Sequence, residues 1–206
     1  GIFGEDGSDI LRQGEFGQII LDKTPFYAES GGQVGDQGSF DSDKGVFEVM
    51  DTQFSGNAYS HFGTVSNGQI SVGDKILATV NPVRRKSITL NHTGTHMLHR
   101  ALMMVLGEHV QQRGSLVDDE KIRFDFSHHQ SLTANEIREI ETIVNEKIEE
   151  NIDVQTSIMK HDEAIDSGAM ALFGEKYGED VRVLDVGDFS KELCGGTHVK
   201  NTNEIG

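Results

Sequence analysis

From residue 1 to about 80, apolar side chains come in short runs broken by glycine, a pattern of strands joined by tight turns. The runs Gln18 to Asp22, Gly45 to Asp51, Tyr59 to Val65 and Lys75 to Val80 read as strands, with Gly31-Gly32, Gly35, Gly38 and Gly73 among the breaks. This portion reads as a small β-barrel. The pattern then changes to a helical one. Ile88, Met97, Ala101, Met104 and Val105 supply apolar surface, Asn81 can cap the segment, Pro82 suits a first turn and Gly107 can end it. A long helix of roughly Pro82 to Leu106 follows from these signals.

Lys121 to Phe126 reads as a strand. A second helix is announced by the capping box Thr133-Ala-Asn-Glu136, carried by Ile137, Ile140, Ile143, Val144 and Ile148, and expected to end near Asn151. Val154, Thr156 and Ile158 alternate as a strand, His161 to Ala171 suits a short helix, and Val181 to Val186 reads as a buried strand delivering the chain to Cys194. Strands mixed with two long helices predict an α+β fold. The expected arrangement is an N-terminal small β-barrel, residues 1–81, followed by an α/β sandwich, residues 82–206, with two long helices on a mainly antiparallel sheet. There is no repeat or low-complexity segment.

Composition narrows the classes. At 206 residues and 35% hydrophobic, the chain suits one large or two small domains. No run of about 18 apolar residues is present to span a bilayer, and no basic, apolar leader announces secretion, so a cytoplasmic origin and no membrane partner are expected. Gly1 in place of a methionine suggests an excised piece or a processed chain. The single cysteine excludes an internal disulfide, and a metal-binding thiolate suits a reducing compartment. A net charge of −16 has the wrong sign for a chain that holds nucleic acid mainly by its phosphates. The small cluster Arg84-Arg85-Lys86 reads more readily as a solvated helix face than as a phosphate contact.

The candidate chemistry lies in two short stretches. His92-Thr-Gly-Thr-His96 places two imidazoles one helical turn apart on a single face. Cys194-Gly-Gly-Thr-His198 offers a thiolate and a third imidazole in a segment whose glycines allow a tight turn. Three histidines and one cysteine suit a tetrahedral zinc ion. His92, His96 and Cys194 are the expected ligands, while His198 is either the fourth ligand or a neighbour that orients water. His99 follows His96 by three and is an alternative ligand or a packing residue.

Other chemistries find less support. A zincin protease needs a glutamate beside its first histidine, and that position is Thr93. Ser190 lacks convincing histidine and aspartate companions for a triad. Gly31-Gly32-Gln33-Val34-Gly35 permits a close backbone approach to a ligand but has no following helix to make a phosphate loop. Phe26, Phe173 and Tyr177 could stack on an unpaired base, although core packing is the commoner use of such residues.

The two metal-binding stretches, read as His92-Thr-Gly-Thr-His-Met-Leu-His-Arg-Ala-Leu102 and Cys194-Gly-Gly-Thr-His198, resemble the paired motifs of the alanyl-tRNA synthetase editing domain and its freestanding relatives. Thr24 to Gly38, His109-Val-Gln-Gln-Arg-Gly-Ser-Leu-Val117, Arg123-Phe-Asp-Phe-Ser-His128 and Ala171 to Gly178 are also similar to that family, in the same order, so the likeness covers nearly the whole chain.

The resemblance implies a barrel subdomain ahead of a zinc-binding editing subdomain, one zinc ion, and hydrolysis of the aminoacyl ester of mischarged tRNA(Ala) carrying serine or glycine. Such a second site is needed because a synthetic pocket for alanine cannot strongly exclude a smaller side chain or one differing by a hydroxyl. It implies catalytic roles for Cys194, His198 and Gln112, the last matching the polar glutamine of the family's editing pocket, and substrate contacts from Gln112, Thr24, Gly31 and Gly32. The implied partners are the acceptor end of tRNA(Ala) and the remaining domains of the parent synthetase. ATP binding would belong to the parent alone, since no nucleotide loop is visible here. Two alternatives stay open: a freestanding trans-editing deacylase, and an RNA-positioning domain whose zinc is purely structural.

Overall fold

A computed structural model describes residues 1–4, 8–171 and 177–206 of the chain. One unit comprises Gly1–Ser30 with Val34–Lys86, and the other Gly31–Gln33 with Ser87–Gly206. The architecture is mixed, with antiparallel sheets and, among the described residues, three α-helices.

In the first unit the strands are β1 (Ile2–Gly4), β2 (Ile10–Arg12), β3 (Phe16–Ile19), β4 (Gly38–Asp41), β5 (Gly45–Ser55), β6 (Ala58–Ser71) and β7 (Leu77–Val80). Their order is β1-β3-β6-β5-β4-β7, and β2 pairs with the far stretch of β6 through Leu11 and Ile70. Alternate side chains of β5, those of Phe47 and Val49, turn inward as a pleated strand dictates. They meet Leu11, Ile19, Phe26, Phe40, Val65 and Ile70 in one core. Phe26 packs edge-on against Phe40 with centroids 5.3 Å apart.

The expected barrel is not closed. Closure would require the outermost strands to pair, and among the described residues β1 and β7, of three and four residues, each pair on one side only, with β3 and β4 respectively. The short strands β1, β2 and β4 escape a periodicity reading because so few residues hold no repeat. The basic cluster also differs from expectation. Arg85 forks onto the buried carboxylate of Asp36, with Nε 2.8 Å from Oδ1, and Arg84 donates to the Gly35 carbonyl at 2.8 Å. These two guanidinium groups join parts of their own unit instead of forming a solvated face.

Helix α1 spans Pro82–Leu106, and its cap is Asn81, whose Oδ1 accepts the backbone N–H groups of Val83 and Arg84 at 3.1 Å each. Its last turn runs into Gly107, at φ 112°, where a side chain would be strained. The buried stripe within the second unit comprises Ile88, His92, Thr93, Thr95, His96, Met97, His99, Ala101 and Leu102. Met104 is exposed, against expectation.

Beyond α1 come the hairpin β8 (Gln112–Val117) and β9 (Ile122–Phe126), helix α2 (Ala134–Glu149), β10 (Gln155–Lys160), the short helix α3 (His161–Asp166), β11 (Asp180–Val186), β12 (Ser190–Leu193) and a closing 3-10 turn, Thr202–Ile205. The capping box of α2 is present: Thr133 Oγ1 accepts the Glu136 N–H at 3.3 Å, and Glu136 Oε2 accepts the Thr133 N–H at 2.7 Å. In place of the single sheet of the expected sandwich there are, among the described residues, two, β8-β9 and β10-β11-β12. The hairpin, α1 and α2 share one core around Ala101, Leu102, Val110 and Ile140, while α3 packs on the other sheet around Ala164, Val183 and Leu193. No described helix is long and apolar enough to cross a membrane.

Candidate metal centre

One turn of α1 stacks the His92 and His96 rings, with centroids 5.2 Å apart and planes 17° from parallel. Facing them is the loop that follows β12. The Cys194 N–H donates to the Arg182 carbonyl of β11 at 2.9 Å, and the Arg182 guanidinium holds the carbonyls of Gly195 and Gly196. This brings Cys194 Sγ to 3.5 Å from His92 Nε2 and 3.2 Å from His198 Nε2. The potential ligand atoms of His92, His96, Cys194 and His198 all lie within 4.8 Å of one another. Gly196 is required by the close packing, because a Cβ there would overlap the His92 ring.

Behind each imidazole stands a partner on its outer nitrogen. His92 Nδ1 donates to Gln33 Oε1 at 2.6 Å, and that same oxygen accepts the N–H of Thr197 at 2.9 Å and its hydroxyl at 3.1 Å. His96 Nδ1 meets Glu192 Oε2 at 2.7 Å, while Ser190 donates its hydroxyl to Glu192 Oε1 at 3.0 Å. The Thr93 hydroxyl gives its proton to the Thr89 carbonyl at 3.0 Å, so its oxygen is left to accept from His198 Nδ1 at 3.3 Å. Three Nδ1 atoms are therefore bound outward and three Nε2 atoms face inward, the usual outer support of metal-ligating histidines.

The electrostatics match a cation site. Burial pushes the Cys194 thiol up, but His96, His198 and His92 outweigh it and hold the group well below the ordinary thiol range, as a thiolate. Burial pushes His96 down, and the charges of Glu192 and Cys194 reverse this, holding it well above the usual imidazole value. Glu192 stays ionised despite burial because His96 and His99 adjoin it. His198 is pushed down to about 4, by burial first and by His92 and His96 next, against the pull of Cys194, so it is a neutral donor near pH 7. His96 Nε2 is buried without a hydrogen-bond partner among the described residues. A buried nitrogen without a partner, beside a thiolate and two further imidazole nitrogens, fits zinc, which takes nitrogen and sulfur donors in a tetrahedron.

The remaining candidates lie as follows. His99 is buried but outside the four donors, with Nδ1 3.5 Å from Glu192 Oε1 and its ring against Phe124. Gln112 begins β8, half-buried and opposite Phe126, whereas Gln111 is exposed. Gly31 and Gly32 both have positive φ, and the Gly32 carbonyl accepts the Val117 N–H at 2.8 Å. A Cβ on Gly32 would strike Ser115, so the pair makes a packed turn that presents Gln33 to His92. Thr24 belongs to the first unit, where its hydroxyl lies 2.8 Å from His61 Nε2. Phe26 is a core residue of the first unit, Tyr177 is half-buried against the cluster around Ala164 and Val183, and Phe173 lies outside the described residues.

Sequence reasoning missed the supporting roles of Gln33, Glu192 and Thr93. Glu192 carried the nearest available signal, a carboxylate two residues before the only cysteine.

Residues 4–84 match the family described as tRNA synthetases class II (A), and residues 181–206 match the threonyl and alanyl tRNA synthetase second additional domain. Alanine–tRNA ligase of Nitrosomonas eutropha is 51% identical over 199 residues, which are 96% of this chain and 23% of that protein. The alanine–tRNA ligases of Legionella pneumophila strain Lens and of Nitrosococcus oceani are 53% and 54% identical, over 98% and 95% of this chain and 24% and 22% of theirs. The class is thus that of the class II tRNA synthetases. Within it, the chain belongs to the alanyl-tRNA synthetase family and spans about a quarter of the length of the curated relatives it matches.

Proposed function

We propose that the chain is the editing portion of an alanyl-tRNA synthetase, hydrolysing the aminoacyl ester of tRNA(Ala) charged with serine or glycine, with one zinc ion held by His92, His96 and Cys194 and with His198 as either the fourth ligand or the neighbour that orients water. The observation that carries this reading is the outward fixing of three Nδ1 atoms around a buried, inward-facing Nε2 and a thiolate, in a chain of this family. When bound, zinc supplies Lewis acidity towards an ester carbonyl and makes adjacent water acidic enough to react near neutral pH.

The chain's own groups do the rest. Gln33, Glu192 and Thr93 hold the imidazoles in the tautomer that points Nε2 inward. His198, neutral near pH 7, either completes the donor set or accepts a proton from water at the ester. Gln112 serves the serine hydroxyl with an amide that both donates and accepts, and Thr24 in the first unit and Gly31 and Gly32 in the second are each proposed as substrate contacts. Residues 1–81 and 82–206 are the proposed subdomains. ATP binding and aminoacylation belong to other parts of the cytoplasmic parent.

A second reading draws support from the four mutually close donors, which suffice to close a tetrahedron and leave a purely structural zinc in an RNA-positioning domain. Metal content, measured together with deacylation of serine-, glycine- and alanine-charged tRNA by this same chain before and after chelation, separates the two. Metal-dependent turnover of serine- and glycine-charged tRNA supports editing. Bound metal without turnover assigns the structural role.

A further inference from the structure

We infer that His109, His128 and His129 form a second metal site, for a divalent ion of the borderline kind that prefers imidazole nitrogen, such as Zn²⁺ or Ni²⁺. The three potential ligand atoms lie within 4.8 Å of one another, and none of these residues belongs to the centre on α1. His109 precedes β8 and His128-His129 follow β9, so all three stand at the open end of the hairpin, away from its turn.

The backbone holds this end together independently of any ion. The Gln111 N–H donates to Ser127 Oγ at 3.0 Å, the Ser127 N–H donates to the Gln111 carbonyl at 3.0 Å, and the Ser127 hydroxyl donates to the His109 carbonyl at 2.9 Å. The two histidine-bearing segments are thereby fixed side by side. Their rings gather closely, stacked for His109 and His128 with centroids 5.2 Å apart and for His128 and His129 at 4.8 Å, and tilted for His109 and His129 at 4.8 Å.

One contact distinguishes this cluster from a chance surface grouping. His109 Nε2 and His128 Nδ1 are 2.9 Å apart, so one of the two must offer a lone pair to the other. A tetrahedral ion with metal–nitrogen bonds of about 2.05 Å sets its ligand nitrogens roughly 3.3 Å apart, so the pair needs to open by only about 0.4 Å to admit one. An all-imidazole donor set selects borderline transition ions over calcium or magnesium, which require oxygen. With no thiolate, and with His109 and His129 exposed, this site binds more weakly than the donor set of His92, His96, Cys194 and His198. Its consequence is to clamp the segment entering β8, and therefore Gln112, to the segment leaving β9.

The test is zinc uptake by the chelator-stripped chain, measured by equilibrium dialysis and elemental analysis across micromolar free Zn²⁺, for wild type, His129→Asn and His109→Asn. Wild type should take up one equivalent more than either variant, and the affinity for that equivalent should fall at least about tenfold. His129 is exposed, so His129→Asn tests the ligand without disturbing a core, and circular dichroism checks its fold. Because the readout is a difference between wild type and variant, it stands whether or not the α1 centre loads. Cys194→Ser should lower the other equivalent and leave this one. Identical uptake by wild type and a folded His129→Asn would overturn the site.

Discussion

Glu192 and His96 are 96 residues apart in sequence, yet Glu192 Oε2 lies 2.7 Å from His96 Nδ1 with both side chains buried. The carboxylate fixes the tautomer of the ring and adds negative charge beside a site already carrying a thiolate. Glu192→Gln keeps the shape and removes the charge. Metal affinity, measured by competition with a chromogenic chelator, should fall about ten- to a hundredfold while the fold is retained. An unchanged affinity would show that the carboxylate's charge is not used.

Gly195 and Gly196 make an internal control. A Cβ at Gly196 would overlap the His92 ring and approach Gln33 Oε1 to 2.9 Å, whereas one at Gly195 meets nothing within 4 Å. Neither glycine has a positive φ, so the difference is steric. Gly196→Ala should cost about 1–3 kcal/mol of stability and displace His92 enough to impair metal binding, with Gly195→Ala close to wild type. Thermal unfolding and metal stoichiometry of the two variants, compared side by side, check this.

Gln112→Leu tests the proposed recognition of serine. Losing one hydrogen bond contributes about 0.5–1.5 kcal/mol, so hydrolysis of serine-charged tRNA should fall by several-fold to roughly tenfold at unchanged metal content. Glycine-charged tRNA should suffer less, having no hydroxyl to lose. An equal fall for both substrates assigns Gln112 to water positioning or pocket shape.

His61 gives the first unit a dependence on pH. The side chain is buried, with Nδ1 2.9 Å from the Ile19 carbonyl and Nε2 2.8 Å from the Thr24 hydroxyl. Burial lowers its pKa below the usual imidazole value, and the Ile19 carbonyl opposes the shift only in part. The folded state therefore binds this proton less readily than the unfolded chain. Stability is fully present above about pH 6.5 and is lost as pH falls through that value towards the folded pKa, with a slope of at most about 1.4 kcal/mol per unit. Denaturant unfolding at pH 7.5 and 5.5 should show a smaller loss in His61→Gln than in wild type. Equal losses would remove His61 as the cause.

The sequence by itself determined the features that are local and periodic. Asn81, Pro82 and Gly107 marked the ends of α1 because capping, a fixed φ and a left-handed turn act within a few residues. Thr133 and Glu136 marked the start of α2 for the same reason. The four-residue spacing of His92 and His96 fixed their shared face, and the only cysteine pointed to the loop that meets them. What depended on distant segments was decided by tertiary structure alone. Gln33 reaches His92 across 59 residues because Gly32 packs against Ser115 in β8, and no local pattern encodes that encounter. Arg85 left the expected solvated face because folding brought the buried Asp36 within reach. The open edges of the first sheet likewise depend on which strands of three or four residues find partners, and those hydrogen bonds exist only once the chain has folded.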